Sequence, residues 1–530
     1  CRALFCSYVW SMSTSTHGLN DGSGLGAGAM DFVSEMAWRG QVSQCTDEKG
    51  LRAHLSDPKG SPRTGYIGFD PTADSFTVGN LVQMLTLRRL QLAGHRPIVI
   101  AGGGTGLIGD PSGKSAEREM NTKERVAANV ASQMRIFSRV IDFSPALSNR
   151  ATLMNNVDWL GEITYVDALR DIGKHFTVNM MIQKESVRAR LEERDHGISY
   201  TEFSYMILQA YDFLVLHQKH GVTLQMGGSD QWGNIVAGGD LIRKTHFASG
   251  GSEENAPKVF GMTTPLVTKA DGGKFGKSES GAVWLTADRT SPYAFYQFWL
   301  NSADADVPKF LRTFTMLSHG EIEALEAGHA ANPGAREAHR ALARHMTEML
   351  HGATERENAE NAARALFSGD VAGLPEATFR EVMSAAPTTV HDKARLGGGV
   401  AILDVLDGAK VVKSRGEGKT LLDAGSILLN GRKVGLDARV TSADLLHGTF
   451  MGGRGRGRGG GGWRGGGGGG RGAGVPGTGT PPRRRREGGD GGEACWGSAH
   501  HPGAARAWAL LRLIRARAWR MASRARARVL

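Results

Sequence analysis

Residues 66–113 read YIGFDPTADSFTVGNLVQMLTLRRLQLAGHRPIVIAGGGTGLIGDPSG, and they contain one complete strand–helix–strand pattern. Residues 66–69 form a short apolar run before an Asp-Pro pair, which is typical of a buried strand. Residues 80–93 place leucine and valine at helical spacing and end at Gly94, and residues 97–101 form a second buried strand. This alternation predicts an α/β fold, in which helices cover a parallel sheet.

The alternation continues downstream of this segment. Helical patterns occupy residues 124–141, 203–217 and 230–244, and a short strand is predicted at residues 224–226, between the last two. After Pro292 the pattern becomes helical. Residues 397–449 predict a small mixed α+β unit, in which Asn430-Gly431 is a typical hairpin turn.

The composition excludes several classes of protein. The four cysteines form no CxxC pair, which excludes a disulfide scaffold and a four-cysteine zinc site. No uncharged apolar run reaches the ~18 residues of a membrane span, so no membrane partner is predicted. The net charge is +11, but residues 451–530 hold 17 Arg and three acidic residues, which leaves −3 for residues 1–450. The excess positive charge therefore lies in the tail, and the net charge of residues 1–450 gives no indication of nucleic-acid binding.

Two glycine motifs near the second strand suggest other nucleotide-binding folds. GTGLIG at residues 104–109 matches GxGxxG, but Pro111 and Gly113 follow where a dinucleotide-binding fold needs a helix. The Gly-Lys-Ser at residues 113–115 fails the P-loop spacing by one residue. A phosphate-holding loop with Lys114 and Arg118, or a surface turn with solvated charges, both remain open for this segment.

Six blocks of sequence, in this order, resemble tyrosyl-tRNA synthetases of the bacterial and organellar type. They are GFDPTAD at 68–74, TGLIGDPSGK at 105–114, YTEFSY at 200–205, LQAYD at 208–212, GGSDQWGN at 227–234 and KFGKS at 274–278. The likeness covers about residues 30–450. It implies a Rossmann-like parallel-sheet catalytic domain, followed by a helical domain and a small α+β RNA-binding domain like that of a ribosomal protein.

The resemblance divides the chain into five parts. We expect a disordered leader at residues 1–29, and a catalytic domain with a dimer-forming insertion and a KMSKS-type loop at residues 30–285. A helical domain for the anticodon arm is expected at residues 286–390 and the RNA-binding domain at residues 391–450. Residues 451–530 are expected to be a disordered Gly/Arg-rich tail, either a gene-model artefact such as a translated intron or an RNA-binding tail. A bacterial-type body with a leader favours a mitochondrion or chloroplast, and the cytoplasm if the source is bacterial.

The chemistry implied by the resemblance needs positive charge more than it needs a base. The tyrosine carboxylate is already an anion when it attacks the α-phosphate of ATP, so catalysis rests on positioning and on charge stabilisation. ATP is expected to carry Mg²⁺, with no metal site on the protein. The groups expected to act on the phosphates are Lys274, Lys277, Thr77, Asn80, Lys114 and Arg118.

The resemblance also assigns the substrate contacts. Tyr66 and Asp212 are expected to contact the phenol oxygen of L-tyrosine. The α-amino end is assigned to Asp110, Tyr205 and Gln209, and the carboxylate to Gln231. The expected ATP contacts are Gly68, Asp70, Thr72, Gly79, Gln83, Gly227, Asp230, Lys277 and Ser278.

Two features depart from the family pattern. Thr77 stands where the family has a histidine that would reach the terminal phosphates, and threonine offers only one short donor. Gly416 and Gly418 fall where a helix is expected in the RNA-binding domain, each at about 1 kcal/mol relative to alanine. The residues expected to contact RNA phosphate are Lys413, Arg415, Lys419, Arg432 and Lys433, with a solvated basic face as the alternative.

Together these features predict a homodimeric tyrosine–tRNA ligase that uses L-tyrosine, ATP and tRNA(Tyr). A non-catalytic RNA-binding relative is the alternative, because of Thr77 and the tail.

Overall fold

The structure of the protein is a computed structural model that divides into two compact units, residues 1–360 and 361–530. It describes residues 31–112, 121–184, 187–188, 191, 197–270, 272, 275–278, 281–368, 373–384, 388–455 and 511–516. The predicted leader, most of the predicted tail, and Lys114, Arg118 and Lys274 lie outside these residues.

A six-stranded sheet forms the centre of the first unit. Its strands are β1 (Gln44–Cys45), β2 (Thr64–Phe69), β3 (Arg96–Ala101), β4 (Thr152–Asn155), β5 (Val222–Gly228) and β6 (Phe260–Thr264). Their spatial order is β1-β6-β5-β2-β3-β4, and every pair is parallel except β1 with β6. The α/β fold with a parallel sheet is therefore confirmed.

Helices follow the strands at the positions that the apolar spacing predicts. The four predicted helices span Val78–Leu92, Lys123–Val140, Tyr200–His220 and Trp232–Ala248. Further helices are Phe32–Trp38, Glu48–Ser56, Val157–Leu160, Tyr165–Asp167, Val178–Ile182, Pro292–Leu300, Val307–Phe314, His319–Ala331, Glu337–His351 and Ala353–Ser368. Ser199 begins the longest helix by accepting a hydrogen bond from Glu202 N, and Gly221, at φ +63°, ends it.

The main apolar core lies between the sheet and the two long helices that flank β5. Tyr66, Ile98 and Ile100 of the sheet pack in it with Phe213 and Leu241 of those helices. A β-carbon added at Gly238 would lie 3.0 Å from Phe213 Cδ1. The two long helices therefore approach each other closely beneath the carboxyl ends of the strands.

Phe275 connects a short hairpin to the helices that follow it. The hairpin pairs β7 (Lys277–Ser278) with β8 (Gly281–Ala282). The Phe275 ring stacks on Phe314 with centroids 5.0 Å apart and lies 5.1 Å from Phe310. This half-buried ring anchors the segment just before Lys277 to the helical part of the unit.

The second unit is a small α+β structure. Its helices are Glu376–Ser384, Ile402–Gly408 and Arg415–Asp423, and its strands are β9 (Thr388–His391), β10 (Val400–Ala401), β11 (Ile427–Leu429), β12 (Arg432–Lys433), β13 (Arg439–Val440), β14 (Phe450–Gly455) and β15 (Leu511–Ala516). Asn430 and Gly431 both have positive φ between β11 and β12, as the predicted hairpin turn requires. A β-carbon at Gly418 would lie 2.6 Å from Leu403 Cδ1, so glycine permits the close packing of two helices.

The end of this unit differs from the predicted boundary at residue 450. β14 begins at Phe450 and continues to Gly455, and the side chain of Met451 is buried in the core of the unit. Residues 511–516, inside the region expected to be disordered, form β15 between β14 and β9. Among the described residues, no helix is both long and apolar enough to cross a bilayer.

Candidate active site

A cleft is expected where neighbouring parallel strands send the chain to opposite sides of the sheet. From β2 the chain passes by a helix to β3 on one side, whereas β5 adjoins β2 on the other side. Ligands of open α/β sheets bind at such switch points, beyond the carboxyl ends of the strands. The segments that follow β2, β3 and β5 carry Asp70, Asp110 and Asp230, which were predicted from the sequence as substrate contacts.

Asp212 is held in place at the inner end of this cleft by two donors. Asn156 Nδ2 donates to one carboxylate oxygen at 3.0 Å, and Trp159 Nε1 donates to the other at 2.7 Å. The carboxylate is almost fully buried, and this burial raises the pKa of Asp212 to about 7, against the lowering effect of both hydrogen bonds. Burying this hydrogen-bond acceptor therefore costs free energy.

The hydroxyl of Tyr66 lies in the same buried region. Tyr66 is 2% exposed, and its hydroxyl has no hydrogen-bond partner among the described residues. Burial raises the pKa of this phenol well above its usual value, and the charge of Asp212 adds to the effect. A buried polar atom without a partner costs free energy unless a ligand or a water satisfies it. Tyr66 and Asp212, predicted as a pair, are therefore suited to a small ligand with its own hydroxyl.

A second group of polar side chains surrounds Asp70. Thr105 Oγ1 donates to Asp70 Oδ1 at 2.7 Å, and the Tyr205 hydroxyl donates to Asp70 Oδ2 at 2.9 Å. Burial raises the pKa of Tyr205 well above its usual value, followed by the charges of Asp70 and Asp110. Asp70, predicted for ATP, thus contacts Tyr205, predicted for the amino end of the amino acid. The two predicted sites share this carboxylate.

Gln231 links the two acidic residues at the other side of the cleft. Its Nε2 donates to Asp110 Oδ2 at 2.7 Å and to Asp230 Oδ2 at 2.9 Å. Its Oε1 accepts from Asn234 Nδ2, which also donates to Gln209 Oε1 at 2.9 Å. Gln209, Gln231, Asp110 and Asp230, all predicted from the sequence, are therefore brought into one network.

Lys184 completes this network, and sequence reasoning missed it. Its Nζ donates to Asn234 Oδ1 at 2.6 Å. Burial lowers the pKa of Lys184, while the charges of Asp110 and Asp230 act in the opposite direction. Asn156, Trp159 and Asn234 were missed as well. The strand end before Asn156 and the i, i+3 spacing of Gln231 and Asn234 were available as signals, whereas nothing in the pattern distinguished Lys184.

The helix Val78–Leu92 begins at the outer part of the cleft. Thr77, its N-cap residue, donates from both its backbone N–H and its hydroxyl to Asn80 Oδ1, each at 3.0 Å. Both bonds use the amide oxygen of Asn80, so neither occupies its NH₂ group. Gly68 is exposed at the end of β2, and a β-carbon there would meet nothing within 4 Å. The space in front of Gly68 is therefore open.

Other residues predicted to contact ATP hydrogen-bond to neighbouring residues or lie close to them. Gln83 Nε2 donates to Thr264 Oγ1 at 2.8 Å, at the end of β6. Thr72 is exposed, and its backbone N–H donates to the Asp70 carbonyl at 2.9 Å. A β-carbon at Gly227 would lie 3.1 Å from Gln231 Cβ, and one at Gly79 would lie 3.6 Å from Thr77 Oγ1.

The segment after the hairpin is bonded to the start of the same helix. Val78 N donates to the Val283 carbonyl at 3.1 Å, and Leu285 N donates to the Phe76 carbonyl at 2.8 Å. Thr77 and Trp284 form an isolated antiparallel bridge between these bonds. Lys277 and Ser278, expected in a stretch without regular structure, lie in the two-residue strand β7. Lys277 and Ser278 thus come shortly before Val283 and Leu285, which are hydrogen-bonded to the start of this helix.

The predicted RNA-binding residues lie on the surface of the second unit. Lys413, Lys419 and Lys433 are exposed. Arg415 is ion-paired with Asp404 at 2.7 Å, and Arg432 with Asp444 at 3.1 Å. The two arginines therefore have partners within their own unit, which reduces the positive charge they present to a phosphate.

Comparisons with known proteins agree with this arrangement. A family model described as "tRNA synthetases class I (W and Y)" matches residues 59–368. The tyrosine–tRNA ligase of Geobacillus kaustophilus is 48% identical over 422 residues, which cover 79% of this chain and 96% of that protein. That of Aliivibrio fischeri strain MJ11 is 45% identical over 422 residues, covering 79% and 95%. The solved structure of a C-terminally truncated Coccidioides posadasii mitochondrial tyrosyl-tRNA synthetase is 30% identical, with a TM-score of 0.55, covering 63% of this chain and 91% of that one.

Proposed function

Because the chain belongs to the class I tRNA synthetases, and within them to the tyrosine–tRNA ligases, we propose that it forms tyrosyl-adenylate from L-tyrosine and ATP, releasing diphosphate. It then transfers tyrosine to the 3′ end of tRNA(Tyr), releasing AMP. The observation that carries this proposal is the buried hydroxyl of Tyr66, which has no partner among the described residues and lies near enough to the buried carboxylate of Asp212 for that charge to raise its pKa.

The phenol of tyrosine satisfies both of these groups. Its hydroxyl donates to Asp212, whose other hydrogen bonds to Asn156 and Trp159 fix the position of the carboxylate. Its oxygen then accepts from Tyr66. Phenylalanine would leave both groups buried without that partner, so the pocket selects tyrosine by the cost of unmade hydrogen bonds.

The opposite end of the amino acid contacts the acidic network. The ammonium group is assigned to Asp110, Tyr205 and Gln209, with Asp70 accepting from Tyr205. The carboxylate lies beside Gln231, whose side-chain N–H₂ is shared with Asp110 and Asp230. These contacts hold the carboxylate in line with the phosphate of ATP.

In the activation step, a carboxylate oxygen of tyrosine attacks the α-phosphorus of ATP. The new O–P bond forms as the bond to the diphosphate oxygen breaks, and the electron pair leaves with diphosphate. No proton is transferred, so the protein needs donors and cations. We assign these to the Asn80 amide and to Lys114, Arg118, Lys274 and Lys277, with Mg²⁺ carried by ATP.

The nucleotide is assigned to the open edge of the sheet. Gly68 allows close approach of the adenosine part, Gly227 is assigned to the same nucleotide although Gln231 fills its β-carbon direction, and Asp230 binds the ribose hydroxyls. Thr72, Gly79, Gln83 and Ser278 surround the remaining nucleotide surface. The free space in front of Gly68 supports this placement.

The remaining proposals concern assembly and location. We propose a homodimer through the insertion, because six large apolar side chains are exposed there and the hydroxyls of two of them, Tyr165 and Tyr200, lie 3.3 Å apart. The exposed apolar residues are Tyr165, Val166, Leu169, Val178, Ile182 and Tyr200.

Residues 286–390 and 391–450 are proposed to bind tRNA(Tyr), with Lys413, Lys419 and Lys433 contacting phosphate. A mitochondrion or chloroplast is the proposed compartment, and cell fractionation tests it.

Tyrosine-dependent exchange between ATP and labelled diphosphate tests the activation step. We expect exchange with L-tyrosine and far less with L-phenylalanine. Absence of exchange together with retained binding of tRNA(Tyr) would favour the non-catalytic RNA-binding relative, which the threonine at position 77 keeps as the second candidate.

A further inference from the structure

Three side chains that commonly bind metal ions converge in the helical part of the first unit. Asp304 lies between the helices Pro292–Leu300 and Val307–Phe314. His329 is in the last turn of the helix His319–Ala331, and His339 is in the first turn of the helix Glu337–His351. One ligand atom from each of the three lies within 4.8 Å of the other two.

The two histidines are buried without full use of their ring nitrogens. His339 is 0% exposed and His329 is 9% exposed. Nδ1 of His329 is buried and has no hydrogen-bond partner among the described residues. His339 Nε2 lies 3.1 Å from Asp304 Oδ1. Buried polar atoms in this state are rare in proteins and call for an explanation.

The hydrogen bond of His329 determines which of its nitrogens is available. Its Nε2 lies 2.9 Å from the Asp304 backbone carbonyl. A carbonyl only accepts, so Nε2 carries the proton and Nδ1 of the neutral ring carries the lone pair. A histidine that ligates a metal commonly donates its other N–H to a backbone carbonyl in this way.

Arg336 is a neighbouring cation that opposes a bound metal ion, although its guanidinium donates to the Leu300 carbonyl. The exposed carboxylate of Asp304 supplies the negative charge that offsets it.

We propose that the side chains of Asp304, His329 and His339 bind one divalent transition-metal ion of the zinc class. Two imidazoles and a carboxylate are a common ligand set for zinc, whereas magnesium prefers oxygen ligands and stays with ATP. Asp304 is 59% exposed, so solvent completes the coordination. Ligands at ~2.0–2.2 Å from the ion lie closer together than 4.8 Å, so the three side chains move closer together on binding.

The ion would tie a loop to two helices and does not take part in adenylation. The same loop carries Asp306, whose Oδ1 accepts from Ala270 N at 2.8 Å. Ala270 begins the segment that leads to Phe275 and Lys277. The proposed site is therefore structural, and it steadies the anchor of that segment.

Cobalt absorption and zinc competition test the site in the full chain. After treatment with EDTA, Co²⁺ is added until its visible absorption saturates, and Zn²⁺ is then added to displace it. We expect one Co²⁺ per chain that is lost in Asp304→Asn and His339→Gln. Loss of a direct ligand should lower the affinity more than the ~10–100-fold that second-sphere changes typically cost.

A matched control separates this site from other histidines and cysteines. His220→Gln changes an exposed histidine at the end of another helix and should leave the cobalt signal intact. Cys1, Cys6, Cys495, His500 and His501 lie outside the described residues and can bind metal, so only the part that Asp304→Asn removes supports the proposal.

Thermal unfolding distinguishes a metal site from a purely structural contact. Zinc should raise the melting temperature of the wild-type chain, because it binds the folded form, and should not raise that of Asp304→Asn. Asp304 is exposed, so this variant is expected to fold even if His339→Gln does not. Equal cobalt binding and equal zinc effects in the wild type and Asp304→Asn would overturn the proposal.

Discussion

Replacing Tyr66 with phenylalanine should make the protein more stable and a weaker tyrosine ligase at the same time. The hydroxyl of Tyr66 is buried without a partner in the described part of the ligand-free chain. A buried, unsatisfied hydroxyl costs about 1–3 kcal/mol, so Tyr66→Phe should raise the free energy of unfolding by about 1 kcal/mol. The ring contact with Phe213, at 5.6 Å between centroids, is retained.

The effect on the reaction has the opposite sign. Loss of one hydrogen bond to the substrate phenol, worth about 0.5–1.5 kcal/mol, should lower kcat/KM for tyrosine about two- to tenfold. For phenylalanine, which makes no such bond, kcat/KM should stay the same. Diphosphate exchange with each amino acid and urea unfolding measure the two effects.

Tyr296→Phe is the matched control. Tyr296 is also a buried tyrosine, but it lies on the helix Pro292–Leu300, outside the cleft. It should leave the ratio of the two kcat/KM values unchanged. Equal losses for tyrosine and phenylalanine in Tyr66→Phe, or a clear loss of stability, would refute the assignment of this hydroxyl to the substrate.

Three further changes test other parts of the structure. Because the pKa of Asp212 is raised, the folded chain keeps a proton between about pH 4 and 7 that the unfolded chain has lost. The free energy of unfolding should therefore fall as pH rises through this range, by up to about 1.4 kcal/mol per pH unit. Urea unfolding of Asp212→Asn should not show this fall. Thr77→Val removes one of the two hydrogen bonds that hold Asn80 and should slow adenylation about two- to tenfold in pre-steady-state assays, at unchanged tyrosine affinity, whereas Thr77→His should speed it at least about tenfold. Ending the chain after Phe450 should lower the melting temperature by several degrees in calorimetry, because it removes the buried Met451.

Local patterns predicted most of the first unit because its elements bury continuous apolar faces. The pattern at residues 203–217 became the helix Tyr200–His220, and residues 97–101 became β3. The polar partners of Asp212 were not predictable in this way, because Asn156 and Trp159 precede it by 56 and 53 residues. Their contact depends on how the strands are ordered, which periodicity does not report.

Other differences have the same origin in long-range packing. Glycine-rich composition suggested that order ends at residue 450, yet β14 continues because its partners β11 and β15 supply backbone hydrogen bonds. Arg415 and Arg432 were predicted as RNA contacts from the family resemblance and their charge, and acidic neighbours from other elements pair with both. The cluster of Asp304, His329 and His339 is spread over 36 residues of sequence and matches no metal-binding spacing.

The ring of Phe275 holds the hairpin that contains Lys277 against the helices, and the free energy needed to withdraw this ring can be estimated. To swing outward, this segment must withdraw a half-buried ring from the aromatic pocket that contains Phe310 and Phe314. Exposing a fully buried phenylalanine costs about 1.5–3 kcal/mol, so a half-buried one corresponds to roughly a tenfold excess of the latched over the released form. The downstream end is fixed to the helix at Val78 by main-chain bonds. Any outward movement of this segment therefore has to break the ring contacts of Phe275 first.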